Sequence, residues 1–296
     1  MSGRPDLSVV VTARGPECGL DACLRALAPD KGRTEVIVAS CGGYEPSAQL
    51  QSRHVWARFQ YFPQPLSPPQ LRLQAARLAR ADILAFSKDS VCPAPGWCRS
   101  LIRLHRRYPQ EVIGGAIRFA SRPDSLNWAA FLCEYAPFLP GSLSALEPAS
   151  SNLSYKRRLL ERFPELFSEG LWETLLHRQL RLLGVGFRLF PELEVDYLAR
   201  FRWGGFLLQR YHFSRSFAAQ RARRASAGLR MLRIAAAPLL PFLLTARLWR
   251  QLSPHPQYRG IGLRCLPWLA LFFSAGAWGE LRGCLQGEGQ SGCKVQ

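Results

Sequence analysis

The sequence contains few acidic residues for its length, and this shortage restricts the partners that the protein can have. Among 296 residues, 21 Asp and Glu stand against 39 Lys and Arg, so the formal net charge is +18 at pH 7. The imbalance is greatest in residues 200–296, which hold 15 basic and 2 acidic residues. Such a surplus favours an anionic partner: nucleic acid, a phosphate-bearing substrate or an anionic membrane surface.

Recognisable metal-binding cysteine spacings are also missing. The nine cysteines include no Cys-x-x-Cys pair, and the spacings Cys18/Cys23 and Cys92/Cys98 match no zinc pattern. The first six residues are polar and lack the apolar run of a secretory signal. We therefore expect a reducing compartment in which the cysteines serve as small apolar residues. The sequence has no internal repeat and no low-complexity tract.

The first 200 residues instead carry alternating strand and helix patterns. Residues 7–12 are apolar and mostly β-branched, residues 20–27 have apolar side chains at helical spacing, and residues 36–39 form a second apolar run. A strand, a helix and a strand within 45 residues predict a βαβ unit, and hence a parallel sheet. Further strands are predicted at 55–61, 83–86 and 114–119.

One segment, Asp82–Trp97, combines a strand pattern with charge. The apolar run 83–86 ends abruptly in the polar residues 87–90, which include Lys88 and Asp89. Open α/β sheets bind ligands beyond the carboxyl ends of their strands, so this position favours a binding site. The simpler alternative is a polar turn that contains one aspartate.

The last third contains two apolar segments, Ile234–Ala246 and Leu266–Gly279, each shorter than the roughly 20 residues of a membrane-spanning helix. Arginines bound the first segment, and three tryptophans accompany the two segments. This combination predicts interfacial or re-entrant membrane helices, with arginines at the phosphate level. The alternative is a pair of buried core helices.

Several segments, in this order and spacing, resemble family-2 glycosyltransferases with the GT-A fold. They are residues 7–12 (LSVVVT), 35–39 (EVIVA), 71–97 (LRLQAARLARADILAFSKDSVCPAPGW), 151–157 (SNLSYKR) and 172–180 (WETLLHRQL). The resemblance implies an α/β fold with a mostly parallel sheet flanked by helices, plus membrane-associating C-terminal helices. We expect a GT-A domain at 1–200, a basic apolar helical region at 201–287 and a disordered tail at 288–296.

By the same resemblance, the chain would move a sugar from a nucleotide-diphosphate sugar to a membrane-proximal or lipid-linked acceptor, with inversion. The family holds Mg²⁺ or Mn²⁺ on the diphosphate and uses a carboxylate as the base. The matching position for the base is Glu173. Donor-binding matches are Thr12, Arg14, Ser40, Arg72, Lys88 and Asp89, and the acceptor-side matches are Asn152, Arg202 and Trp203. A first-turn glutamate such as Glu173 is also favoured by the helix dipole alone.

The sequence departs from the family at the diphosphate turn. Lys88-Asp89-Ser90 stands where the family has three aspartates, Ser40 replaces a base-binding aspartate, and Tyr197 replaces a histidine ligand. Asp89 is left as the one candidate metal ligand, although hard cations prefer clustered oxygens. The local charge rises from about −3 to about 0, so Lys88 and Arg72 could neutralise the diphosphate without metal.

Two other functions compete with this hypothesis. The substitutions at the expected site favour a non-catalytic scaffold of a membrane glycan assembly as the runner-up. Nucleic-acid binding rests on net charge alone, without a recognised module, so we expect no nucleic-acid partner. The transferase hypothesis places the protein on the cytoplasmic face of a membrane, where nucleotide sugars are available, as a peripheral or re-entrant protein.

Overall fold

The computed structural model describes residues 4–30, 32–141, 143 and 145–295. The chain forms two compact units. The first, here called the sheet unit, contains Met1–Arg118 and Phe138–Leu198. The second, the helical unit, contains Phe119–Pro137 and Ala199–Gln296, so residues 119–137 join the C-terminal third of the chain.

One eight-stranded sheet carries the sheet unit. Its strands lie in the order β3-β2-β1-β4-β7-β6-β8-β5. The strands are β1 Leu7–Thr12, β2 Thr34–Cys41, β3 Arg58–Phe62, β4 Ile83–Lys88, β5 Val91–Pro93, β6 Val112–Phe119, β7 Leu153–Lys156 and β8 Phe187–Tyr197.

The first four strands in this order are parallel. Strand β1 is buried along its whole length, as expected for β-branched residues covered on both faces. It lies between β2 and β4, with Thr12 opposite both Ala39 and Lys88. The predicted βαβ unit and the α/β fold class are therefore confirmed.

The other half makes the sheet mixed. Strand β7 pairs antiparallel with β4 and β6, and β5 pairs antiparallel with β8. The sheet thus combines a parallel half, β3-β2-β1-β4, with a second half, β7-β6-β8-β5, that contains antiparallel pairs.

The described residues of the sheet unit form α-helices that flank the sheet: α1 Glu17–Leu27, α2 Ala48–Arg53, α3 Pro68–Ala76, α4 Trp97–Arg107, α6 Arg157–Arg162, α7 Pro164–Ser168 and α8 Glu173–Leu182. Helix α3 begins with two prolines and a capping box formed by Ser67 and Gln70, which satisfies backbone donors at its first turn. Its buried side chains belong to a core that also contains Val10, Leu84 and Tyr155.

The helical unit contains α5 Ser125–Tyr135, α9 Trp203–Arg223, α10 Ala227–Ala236, α11 Leu240–Leu252 and α12 Pro256–Gln286. Helices α9 and α12 touch closely at glycines: a Cβ on Gly279 would lie 2.3 Å from the carbonyl oxygen of Tyr211. Glycine therefore permits the two backbones to meet here. At 288–296, where the sequence predicts disorder, Ser291–Lys294 form a 3₁₀ helix.

Two stretches of the helical unit are long and apolar enough to cross a membrane, judged by length and composition: Ala227–Leu252 and Pro256–Gln286. Only 6% of the apolar window in the first is buried, against 33% in the second. Several large apolar side chains of the stretch Ala227–Leu252 are more than half exposed, including Met231, Leu232, Leu239, Phe242 and Leu243. These two stretches are longer than the apolar segments 234–246 and 266–279 because the residues on either side of each segment are helical as well.

Candidate functional site

The sheet register gathers three of the expected donor-binding residues at one edge. Thr12 ends β1, Lys88 ends β4, and the two are directly opposite each other. Ser40 lies one residue beyond the partner of Thr12 on β2. We call this the carboxyl edge. The hydroxyl of Thr12 is buried and donates to the carbonyl oxygen of Ser87, and Ser40 is also buried.

Asp89 turns inward at the carboxyl edge. Its Oδ2 accepts hydrogen bonds from the backbone N–H groups of Arg14 (2.7 Å) and Gly15 (2.6 Å), and its own N–H donates to the carbonyl oxygen of Thr12. Burial raises the pKa of the Asp89 carboxyl, and the two backbone donors oppose this rise. Asp89 therefore ties the loop after β1 to the turn after β4.

This arrangement does not fit a divalent metal ion. One oxygen of Asp89 is committed to two backbone amides, and the neighbouring side chain is the cation Lys88. The described ranges contain no group of three or more His, Cys, Asp or Glu side chains that could hold a metal. Mg²⁺ and Mn²⁺ require several oxygen ligands, so no step of the chemistry below passes through a metal.

Two glycines that the sequence analysis did not single out shape this turn. A Cβ on Gly19, in the first turn of α1, would lie 2.5 Å from the carbonyl oxygen of Asp89. A Cβ on Gly15 would lie 3.2 Å from the Asp89 carboxylate. Helix α1 can approach the turn because residue 19 has no side chain. The spacing of Gly15 and Gly19 in a strand-to-helix loop was the available signal.

Lys88 and Arg14 point to different partners. The Nζ atom of Lys88 lies 5.4 Å from the ring centroid of Tyr197, which is fully buried at the end of β8. This distance is within the range of a cation–π contact. Arg14 donates from Nη1 to the carbonyl oxygen of Leu66, in the connection between β3 and α3.

Arg72 and Glu173, predicted as donor ligand and base, form an ion pair. Arg72 projects from α3, and its Nη1 donates to Oε1 of Glu173, the first residue of α8. Their side chains are only 9% and 13% exposed. The helix N-terminus also favours the carboxylate at this position. The structure thus joins two residues that are 101 positions apart in the chain.

A buried polar pair joins helix α8 to strand β7. His177 is one turn after Glu173, and its Nε2 is 2.7 Å from the hydroxyl of Tyr155. Burial lowers the pKa of His177 to about 3 and raises that of Tyr155, which the charge of Arg72 partly opposes. The histidine is therefore neutral at physiological pH, and it braces α8 against β7.

The acceptor-side residues belong to both units. Asn152 is fully buried, with its amide donating to the carbonyl oxygens of Ala116 and Leu193 and accepting from Trp97. These bonds use both amide donors of Asn152 and hold the side chain inside the sheet, and its contact with an acceptor stays a prediction. Arg202 and Trp203 lie in the helical unit, at the N-cap and the first residue of α9, and Trp203 is exposed.

No protein-family model matches the chain, and no curated protein does. Among solved structures, it is similar to the mannosyltransferase PcManGT from Pyrobaculum calidifontis in complex with GDP-Man and Mn²⁺, with a TM-score of 0.54 and 14% identity. That alignment covers 94% of this chain and 88% of the other. TarS from S. aureus (residues 1–349) matches with a TM-score of 0.45 and 12% identity, over 86% and 74%.

Glucosyl-3-phosphoglycerate synthase from Mycobacterium tuberculosis, crystallised with Mn²⁺, UDP and phosphoglyceric acid, matches more narrowly. Its TM-score is 0.38 at 19% identity, over 53% of this chain and 57% of that chain. At such identities the likeness concerns the fold. The chain has the GT-A fold, as its sequence predicts.

Proposed function

We propose that the protein is a glycosyltransferase that takes a nucleotide-diphosphate sugar as donor. The observation that carries this proposal is the Arg72–Glu173 pair, in which a guanidinium suited to a diphosphate meets a carboxylate suited to act as base. The GT-A fold supports the same class of reaction, since the similar mannosyltransferase was solved with GDP-Man.

The reaction follows from the two charges. The donor diphosphate draws the Arg72 guanidinium, which frees the Glu173 carboxylate. An acceptor hydroxyl oxygen attacks the anomeric carbon while the bond to the diphosphate oxygen breaks. Glu173 takes the hydroxyl proton, and the diphosphate leaves with the bonding electrons, so the configuration at the anomeric carbon is inverted.

Positive charge for the leaving diphosphate comes from side chains in this proposal. Arg72 supplies a bidentate donor, and Lys88 at the carboxyl edge supplies a second cation. The same donor-binding proposal includes Thr12 and Ser40, which lie at the carboxyl edge, and Arg14, which lies in the loop after β1. Turnover is therefore expected to persist in excess EDTA, and complete dependence on Mn²⁺ would contradict this part of the proposal.

The acceptor side is proposed to face a membrane. Helices α10 and α11 expose large apolar side chains, and arginines such as Arg230, Arg233 and Arg250 lie along them. This combination suits the anionic cytoplasmic face of a bilayer and a lipid-linked or membrane-proximal acceptor, towards which Arg202 and Trp203 are proposed to contribute. Sedimentation with vesicles that contain phosphatidylglycerol should decrease sharply for Phe242→Glu.

The central experiment begins with a thermal-shift screen of nucleoside diphosphates and nucleotide sugars, with and without Mn²⁺. The best donor is then used to measure release of nucleoside diphosphate in the presence of membrane extracts. Glu173→Gln should lower turnover at least about 100-fold, as expected for loss of a general base. Glu165→Gln is the matched control, because Glu165 also lies in the first turn of a helix but is exposed.

A non-catalytic scaffold is the second candidate. The closed Arg72–Glu173 pair and the inward Asp89 favour it, because both charged groups are already satisfied within the protein. Absence of a thermal shift with every nucleotide sugar, together with retained vesicle binding, would favour the scaffold over the transferase.

A further inference from the structure

A basic groove lies in the sheet unit, at the opposite ends of the parallel strands. It encloses about 640 Å³ and is lined by residues that lead into β2 and by one face of α4. Five arginines contribute to the lining, and one acid does: Arg33, Arg99, Arg103, Arg106, Arg107 and Asp30. We call this the arginine groove.

The sequence of α4 explains how the arginines converge. Arg99, Arg103, Arg106 and Arg107 follow one another at intervals of four, three and one residues, so they share the outer face of the helix. The opposite face carries Leu101, Leu104 and other side chains that are buried against the sheet. A run of apolar and basic residues thus becomes one buried face and one cationic face.

The arginines are only partly neutralised. Arg33 and Arg106 share Asp6, at 2.6 and 2.8 Å, and Arg99 is 3.8 Å from Asp30. Arg103 has no ion-pair partner within the described part of the chain. Arg107 lies 5.4 Å from the ring of Tyr108. Neighbouring like charges repel, so this surplus favours an added anion.

The floor of the groove is neutral and buried. Thr34, Cys98 and Ile102 lie there, at 5%, 1% and 6% exposure. Burial raises the pKa of the Cys98 thiol to about 12, so it carries no charge at neutral pH. An anion seated over this floor meets the arginines on the walls and, among the described lining residues, the carboxylate of Asp30.

The groove is separate from the proposed donor site. Thr34 begins β2 and Cys41 ends it, so the two ends of this strand are roughly 23 Å apart at 3.3 Å per residue. The donor-binding residues Thr12, Ser40 and Lys88 occupy the far end. The groove therefore needs its own ligand.

We propose that the arginine groove binds a ligand that carries two or more phosphoryl groups. Guanidinium groups pair with phosphate oxygens through two parallel N–H bonds, and several arginines at helical spacing can hold neighbouring phosphates. The enclosed volume is that of a small-molecule site, which favours a compact oligophosphate or a multiply phosphorylated lipid headgroup over a long polymer. This site goes beyond the proposed function, since it uses none of the donor-binding residues.

Calorimetric titration of the full chain with inorganic tripolyphosphate tests the proposal. Saturating nucleoside diphosphate is present so that the donor site is occupied. The triple variant Arg99→Gln, Arg103→Gln and Arg107→Gln should bind at least tenfold more weakly than the wild type. The control variant Arg58→Gln, Arg77→Gln and Arg178→Gln removes the same charge from exposed positions outside the groove and should change affinity less than twofold.

Equal weakening in the two triple variants, or no binding by the wild type, would overturn the proposal. Because the probe has no nucleoside or sugar, this result does not depend on transferase activity. Phosphatidylcholine vesicles with and without a phosphorylated inositol lipid then distinguish the sources. If the groove triple variant loses vesicle binding together with tripolyphosphate binding, the ligand is a lipid headgroup. If that variant still binds the vesicles, the ligand is a soluble oligophosphate.

Discussion

The charged side chains at the two ends of the parallel strands differ in burial and in pairing. At the carboxyl edge, Asp89 is buried and bonded to backbone amides, and the proposed donor residue Arg72 is nearly buried and paired with Glu173. At the amino end, Arg33, Arg99 and Arg106 are 61–76% exposed. Buried charges require fixed partners, whereas exposed ones lose little when their partner changes. One end is thus preorganised and the other remains adaptable.

The largest expected difference concerns the two kinds of ion pair. Arg72→Gln leaves Glu173 without its partner in a mostly buried position, so the free energy of unfolding should fall by about 3 kcal/mol. Arg106→Gln removes an exposed pair with Asp6 and should cost less than about 1 kcal/mol. Urea unfolding measures the free energy of unfolding of both variants. Similar losses in the two variants would contradict the difference between the buried and the exposed ion pair.

Glycine substitutions give the next largest effect. Gly19→Ala places a Cβ 2.5 Å from a backbone carbonyl at the carboxyl edge, and overpacking should cost about 2 kcal/mol. At the amino end, a Cβ on Gly32 meets nothing within 4 Å, so Gly32→Ala should stay within about 0.5 kcal/mol. Thermal unfolding of the two variants sharpens the comparison, and a stable Gly19→Ala would show that α1 can shift away from the turn.

The smallest effect, expressed per pH unit, should be equal for the two buried histidines of the sheet unit. His105 on α4 and His177 on α8 are buried, and burial lowers the pKa of each to about 3. The unfolded chain takes up these protons near pH 6.5 and the folded protein does not. Each histidine should therefore cost about 1.4 kcal/mol of stability per pH unit as the pH falls from 6.5 towards 3.

The matched variants His105→Gln and His177→Gln should each reduce the slope of stability against pH by one proton. Their absolute stabilities differ for other reasons, since each also loses a hydrogen bond, to Ser154 or to Tyr155. Urea unfolding at several pH values measures the slopes. A slope that changes for only one variant would mean that the other histidine is protonated in the folded protein.

The strands of the parallel half were predictable because their patterns are local. The β-branched run at 7–12 and the apolar run at 36–39 can be buried in few other ways, and the short connection imposes a βαβ unit. The resemblance to GT-A proteins rested on the order of these same segments, and the fold confirms it.

The site was only partly predictable because its geometry depends on distant contacts. The sequence identified Arg72 and Glu173 as candidates but could not pair residues 101 positions apart. The direction of Asp89 is decided by amides at 14 and 15, and the burial of Asn152 by carbonyl groups of β6 and β8. Periodicity carries no information about such contacts.

The turn at Asp89 and Ser90 has a consequence for biosynthesis. The N–H of Asp89 donates to Thr12, and the carbonyl oxygen of Ser90 accepts from Leu198, so the turn joins the beginning and the end of the sheet unit. Contacts of such wide sequence separation form late in folding. This corner can therefore close only after residue 198 has left the ribosome, and until then the unfinished sheet exposes apolar surface and unpaired strand edges.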